Sequence, residues 1–310
     1  MRLIKRIFRA FLLPGVMFIS LAGTVEAAEY FKPFVLGSRG PGDFDAKVQA
    51  SKDALKAAGF EILGEYTPYE NTFVDKAHVI VVTNDELKKA AAMTEYGGFA
   101  APWRVGVTKL GDEIQVAYAN PAYLANAYRL KADLNGVSEA LREALGAQEE
   151  FGAKKGLTAR KLRKYHYTFG MEYFDDPYEL AEYKSHKDAV AAIEKNLAQG
   201  VAGVTKVYRL DLPNNVTVFG VARKAPSEAE RDMDEQYIMT EVDFDELKGT
   251  AYLPYEIMVY GNKVVALHMR FRMAVHYPDL KMMGKNSFMN IMPSPNAIQQ
   301  ALTAAAGGEQ

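Results

Sequence analysis

The chain repeats itself, and this limits its possible folds more than any other feature. Near the end of each half, a predicted strand runs into a proline and then a helix. Ile114 to Leu124 reads IQVAYANPAYL and Phe271 to Lys281 reads FRMAVHYPDLK, with Pro121 and Pro278 lying 157 positions apart. At that spacing Ala140, Leu141, Ala144 and Leu145 fall on Ala297, Ile298, Ala301 and Leu302, the i, i+1, i+4, i+5 stripe of a helix with one buried face. Val48 and Leu55 match Val190 and Leu197, Met93-Thr94-Glu95 matches Met239-Thr240-Glu241, and Pro102-Trp103 matches Pro254-Tyr255. The offsets rise in order (142, 146, 152, 157), as they do when a second copy has gained loop insertions.

Both copies predict the same succession of elements. A strand (34–38; 167–173) leads to an amphipathic helix (44–58; 187–199) and two strands (61–66 with 78–83; 205–210 with 216–221). A polar helical stretch ends near Met-Thr-Glu, a hairpin follows (104–108 with 113–119; 256–260 with 264–275), and a helix closes the unit. Leu110-Gly111-Asp112 and Gly261-Asn262 supply the hairpin turns. The fold class is therefore α+β: two tandem copies of an antiparallel sheet with helices on one face, each a two-layer sandwich. The copies span 28–147 and 165–310, joined by a charged stretch, 148–164, that carries Lys154, Lys155, Arg160, Lys161, Arg163 and Lys164 and reads as a solvated linker.

Residues 1–27 read as a cleavable export signal. Arg2, Lys5, Arg6 and Arg9 precede the apolar run Phe11 to Ala22, and Val25-Glu26-Ala27 predicts cleavage before Ala28. The apolar run is too short to span a bilayer and contains Pro14, so no stable membrane span is expected after cleavage. The segment holds four of the 37 basic and one of the 39 acidic residues, which leaves 33 against 38 in the mature chain. That balance gives no electrostatic support to a nucleic-acid partner. The absence of cysteine excludes disulfides, thiolate metal sites and cysteine nucleophiles, and in an exported chain it fits a periplasmic location.

Residues 116–130, VAYANPAYLANAYRL, resemble the signature of the domain of unknown function 302 family, in which a strand ends in Tyr-Asn-Asp-Pro followed by a Tyr-Leu pair. The upstream order is similar too: strand Val79 to Thr83, Asn84, a helix reaching Met93, then Pro102 and Arg104 opening a strand. The resemblance covers about residues 33–145 and implies a curved antiparallel sheet covered by helices. It brings no catalytic residues with it. Thr83-Asn84-Asp85 stands where the family has Gly-Asn-Pro, and Ala90-Ala91-Ala92-Met93 where it has Thr-Pro-Leu-Met.

Candidate chemistry concentrates in the second copy. Read as a strand, residues 265–276 put Leu267, Met269, Phe271, Met273 and Val275 on one face and His268, Arg270, Arg272 and His276 on the other. Such a cationic row suits a small anion, with Glu241 as an accompanying carboxylate. The separation of Met from His on that strand argues against a copper site, unless Met282, Met283, Met289 and Met292 fold back over it. Glu95 and Glu241, the repeated acids, form a candidate carboxylate pair. No nucleophile elbow, phosphate loop, dinucleotide fingerprint or His-Glu-x-x-His run occurs, so no catalytic residue, metal ligand or cofactor is assigned. The leading expectation is a non-enzymatic periplasmic binding or accessory protein for a small anionic or amphipathic ligand. The alternatives are a hydrolase- or isomerase-type enzyme using Glu241 with His268 or His276, a copper-binding protein, and a partner for another envelope protein docking around Met282 to Met292.

Overall fold

The computed structural model describes residues 28–309, so the expected export signal lies outside the described residues. The first repeat runs β1 (Phe34–Pro41), α1 (Phe44–Ala57), β2 (Glu61–Tyr66), β3 (Lys76–Thr83), α2 (Asp85–Ala92), β4 (Trp103–Leu110), β5 (Glu113–Ala119), α3 (Pro121–Ala127) and α4 (Asn135–Leu145). After β6 (Glu149–Phe151) and α5 (Ala159–Leu162) comes the second repeat: β7 (Tyr178–Glu182), α6 (His186–Ala198), β8 (Val204–Leu212), β9 (Val216–Arg223), α7 (Glu235–Val242), β10 (Tyr255–Tyr260), β11 (Lys263–Ala266), α8 (Met269–His276) and α9 (Ser294–Ala306). Short polar side chains start the helices by accepting backbone N–H bonds: Asp43 for α1, Asn84 for α2, Asn120 for α3, Ser185 for α6 and Asp234 for α7.

The strand orders carry the duplication. One sheet runs β2-β3-β4-β5-β1-β6 and the other, read from the matching edge, β8-β9-β10-β11-β7, with every neighbouring pair antiparallel. Even the bulges correspond. β2 slips against β3 between Ile62 and Gly64, as β8 does against β9 between Lys206 and Tyr208. β1 slips against β5 between Leu36 and Ser38, and the β7–β11 pairing is offset at Val264 and Val265. A bulge changes local twist and strand direction, so its retention at matching places marks one inherited design.

Helices α1 and α4 cover one face of the first sheet, and α6 and α9 cover one face of the second. The remaining faces look toward each other. The 3-10 turn Thr250–Tyr252 of the second repeat sits on Gly106 of β4, and its counterpart Gly97–Ala100 of the first sits on Met258 of β10. One continuous apolar core therefore runs through both repeats.

Five local expectations are corrected. The first strand of the second copy lies at 178–182 rather than 167–173, a stretch that leaves Phe169 96% exposed and holds Gly170 at φ +79°. The predicted strand 264–275 ends at Ala266, and 269–276 is helical, capped by His268, whose Nδ1 accepts from the Arg270 N–H at 3.3 Å. Seven of the eight α8 residues are buried, so an apolar residue at every second position satisfied a helix buried on all sides as well as it would a strand.

Two more corrections concern register, and one the charged stretch between the repeats. Asn120 and His268, the caps of α3 and α8, are the corresponding positions, 148 apart; Pro121 opens α3, whereas Pro278 follows α8. The offset of 157 between α4 and α9 thus requires nine extra residues after α8. Met93 caps the C-terminus of α2, whereas Met239 lies inside α7, whose own C-cap is Asp243. Glu95 and Glu241 are therefore not equivalent residues. The stretch 148–164 also contains β6, which pairs with β1 as the sixth strand of the first sheet.

Candidate functional site

The five residues singled out in the sequence separate into three places. His268 and Arg270 converge on Glu172: Arg270 forks onto both carboxylate oxygens, with Nε at 3.0 Å from Oε2, and His268 Nε2 lies 3.3 Å from Oε1. Burial alone would raise the Glu172 carboxyl, but the Arg270 hydrogen bonds and His268 outweigh it and hold the group below the usual range. His268 packs against the Tyr178 ring at 4.0 Å, and its burial pushes the imidazole down to about 4.

Arg272 and His276, one helical turn apart on α8, point instead into the buried space between the sheets. Arg272 donates to the carbonyls of Tyr252 and Pro254, lies 3.4 Å from Glu256 Oε2, and sits over the rings of Tyr252 at 4.2 Å and Tyr255 at 4.5 Å. Arg104 of β4 donates to Glu256 Oε1 at 2.7 Å and to the Ala251 carbonyl at 3.1 Å. His276 completes the cluster. Its Nδ1 donates to the Arg272 carbonyl at 2.8 Å, which leaves Nε2 to accept from Arg104 at 3.3 Å. Burial and the two guanidinium charges push His276 well below its ordinary value, so it is neutral.

Glu241, the fifth residue, accepts from Asn290 at 2.8 Å near the end of α7 and shares no hydrogen bond with either histidine. The anion-binding row is thus divided. Glu172 neutralises Arg270, Glu256 serves both Arg272 and Arg104, and the two histidines carry no charge near neutral pH. Met282, Met283, Met289 and Met292 are exposed, and among the described residues no three His, Asp or Glu side chains cluster as a metal site.

The residues best placed for chemistry lie in a groove of about 550 Å³ where the repeats meet, bordered by Pro68 and Glu70 of the first repeat and Lys206 of the second. Tyr66, Arg223 and Glu235 form its floor. Tyr66 ends β2, Arg223 ends β9, and Glu235 is the first residue of α7. The second repeat owes this arrangement to an insertion: β3 passes directly into α2 through Asn84, whereas residues 224–234 separate β9 from α7. Asp234 ties the insertion down, accepting from Tyr237 N at 3.1 Å and from Ala225 N at 2.9 Å.

Two atoms in that floor lack partners. Tyr66 donates to Glu235 Oε2 at 3.0 Å and Arg223 Nη1 donates to the Met233 carbonyl at 3.1 Å, but Glu235 Oε1 and Arg223 Nε stand 3.8 Å apart, buried and without a hydrogen bond. Buried polar groups are nearly always hydrogen-bonded, so these two atoms, which face each other only as a long ion pair, are exceptions beneath the groove. Burial pushes the Glu235 carboxyl up to about 7, against the opposing effects of Arg223 and Tyr66. The floor therefore holds a carboxyl that burial shifts toward its protonated form, beside a permanent cation. No sequence motif announces these residues; the available signal was a charged side chain closing the apolar run VTVFGVAR, followed by an insertion that one repeat has and the other lacks.

Arg104 and Glu256 were legible in principle. Each directly follows the repeated Pro-Trp or Pro-Tyr in a strand otherwise apolar, WRVGV and YEIMV, and a charge in such a strand must be paired. No family model matches the chain, and no curated protein matches it.

Proposed function

We propose that the mature chain is a periplasmic binding protein that takes a small anionic ligand, such as a carboxylate, in the groove between its repeats. The observation that carries this reading is that Arg223 Nε and Glu235 Oε1 face each other at 3.8 Å, too far for a hydrogen bond, and neither has another hydrogen-bond partner. When Glu235 is protonated, Arg223 supplies charge and Glu235 an O–H donor, so one carboxylate satisfies both. When Glu235 ionises, it competes with the ligand for Arg223. Affinity then falls as pH rises through about 7. The export signal and a kinship with the domain of unknown function 302 family belong to the same proposal.

A thermal-shift panel of mono- and dicarboxylates, sulfate and phosphate tests it. Ligand at one hundred times its dissociation constant stabilises by about 2.7 kcal/mol. The expected result is a dose-dependent shift from carboxylates at pH 6 that weakens at pH 8, disappears in Arg223→Gln and persists at pH 8 in Glu235→Gln. A silent panel, or an equal shift in Arg223→Gln, overturns the reading.

The near-neutral Glu235 carboxyl hydrogen-bonded to Tyr66 favours a second reading, an acid–base enzyme working in the same groove. The two separate on Glu235→Gln, which retains ligand binding in either case but removes turnover in the second.

A further inference from the structure

The stretch from 153 to 171 and the loop from 278 to 292 form one surface. Lys154 N donates to Asp279 Oδ2 at 2.6 Å, and Tyr165 donates to the Ala274 carbonyl at 3.0 Å. Tyr167 and Met171 share an apolar cleft with Leu280, Met282 and Phe288. The loop folds back on itself, with Phe288 N donating to Lys281 O at 2.8 Å and Met289 N to Met282 O at 3.1 Å. These two segments present large apolar side chains to water: Phe169 is 96% and Met283 74% exposed, and Tyr167, Met282 and Met289 are exposed as well.

Exposed cations flank these side chains. Lys154 and Lys155 line a hollow with Tyr165 and Pro278, Lys164 adjoins Tyr165, and Lys281 and Lys285 bracket Met282 and Met283. Among the described residues none of these five lysines is in an ion pair, while the acids nearby, Asp279 and Glu241, hold the backbone N–H of Lys154 and the Asn290 amide. A chain with more acidic than basic residues has thus gathered five lysines without ion pairs among the described residues around its most exposed apolar loops.

Apolar side chains that enter the headgroup layer, rimmed by lysines that meet anionic headgroups, are the physical requirements of interfacial binding. We propose that this face docks on an anionic lipid bilayer, with Phe169 and Met283 inserting and the five lysines meeting the headgroups. The surface is separate from the groove at Arg223 and Glu235, and the two proposals fail independently.

Sedimentation with vesicles tests it, using the chain from Ala28 so that the apolar run 11–22 does not itself bind lipid. Vesicles of phosphatidylethanolamine with one-third phosphatidylglycerol are compared with pure phosphatidylcholine, at 0.1 M and 0.5 M NaCl. The expected result is at least tenfold stronger partitioning to the anionic vesicles, lost at high salt. Each of Lys281→Ala and Lys285→Ala should weaken it roughly fivefold. Phe169→Ser with Met283→Ser should weaken it about tenfold without changing the melting temperature, because neither side chain is in the core. Equal binding to both vesicle types, no binding to either, or indifference to the Phe169 and Met283 changes overturns the proposal. No vesicle binding together with capture by an acidic protein would assign the face to that partner instead.

Discussion

Arg104 and Glu256 occupy the same position in the two repeats, one residue after the corresponding Trp103 and Tyr255, and they are ion-paired to each other at 2.7 Å. A residue that meets its own counterpart lies on a two-fold axis. Other contacts obey the same symmetry. Gly64 and Tyr208, equivalent residues beside the β2 and β8 bulges, touch each other, and a Cβ on Gly64 would stand 3.0 Å from that of Tyr208. Gly98 faces Met258, as Thr250, the counterpart of Gly98, faces Gly106, the counterpart of Met258. In a homodimer the axial positions would hold two arginines or two glutamates, or a pair of identical glycines or tyrosines. Joining the copies in one chain frees each to complement the other.

The axial ion pair predicts an order of damage. Both side chains are almost wholly buried, and leaving a buried charge without its partner costs about 3–5 kcal/mol. Arg104→Met leaves Glu256 still facing Arg272 at 3.4 Å, whereas Glu256→Met strands both arginines. Urea denaturation should therefore rank Glu256→Met as the more destabilising. The reverse order would mean that Arg272 does not share the carboxylate.

The reciprocal glycine contacts predict a second asymmetry. A Cβ on Gly106 would lie 2.8 Å from Thr250 Cβ and 3.0 Å from Ala251 N, a branched side chain and a backbone with no room to yield. On Gly98 the closest atom is Met258 Sδ at 2.6 Å, on a side chain with three rotatable bonds. Gly106→Ala should cost about 1–3 kcal/mol and Gly98→Ala less, read as the difference in denaturation midpoint. Equal costs would show that Met258 is as confined as Thr250.

His276 predicts a pH dependence with a defined sign. The folded state holds it neutral far below its ordinary value, whereas the unfolded chain takes up a proton below about pH 6.5. Its contribution is complete above that pH and is lost on acidification, at up to about 1.4 kcal/mol per pH unit. Gln in its place still accepts from Arg104 but does not titrate. The stability advantage of wild type over His276→Gln should thus shrink by about 1 kcal/mol between pH 7.5 and 5.5. A constant difference would place the histidine in a solvated site, and a widening one would mean that the fold favours its protonated form.

The repeat and the α+β class were readable because strand periodicity, hairpin turns and one-faced helices are local properties that survive divergence. The Ala140 and Ala297 stripes and the Pro102 and Pro254 positions locate corresponding elements correctly. Met-Thr-Glu did not, since three identical residues outweighed the helix ends that define the register. Helix α8 was misread because full burial erases the polar stripe that distinguishes a helix; only the spacing of Arg272 and His276, four residues apart and sharing one cluster, retained its signature. The groove was invisible for another reason. Tyr66, Arg223 and Glu235 come from the ends of three elements, up to 169 residues apart, and no local pattern brings them together.

The most direct test of the groove is the titration of Glu235 itself, followed by carboxyl 13C NMR in glutamate-labelled protein and assigned by the signal that Glu235→Gln removes. A midpoint near 7, rising further in Arg223→Gln, is the predicted result. A midpoint at or below 4.5 would show a carboxylate already closed onto Arg223. Arg223 would then be fully engaged by Glu235, and the proposed carboxylate site would be contradicted.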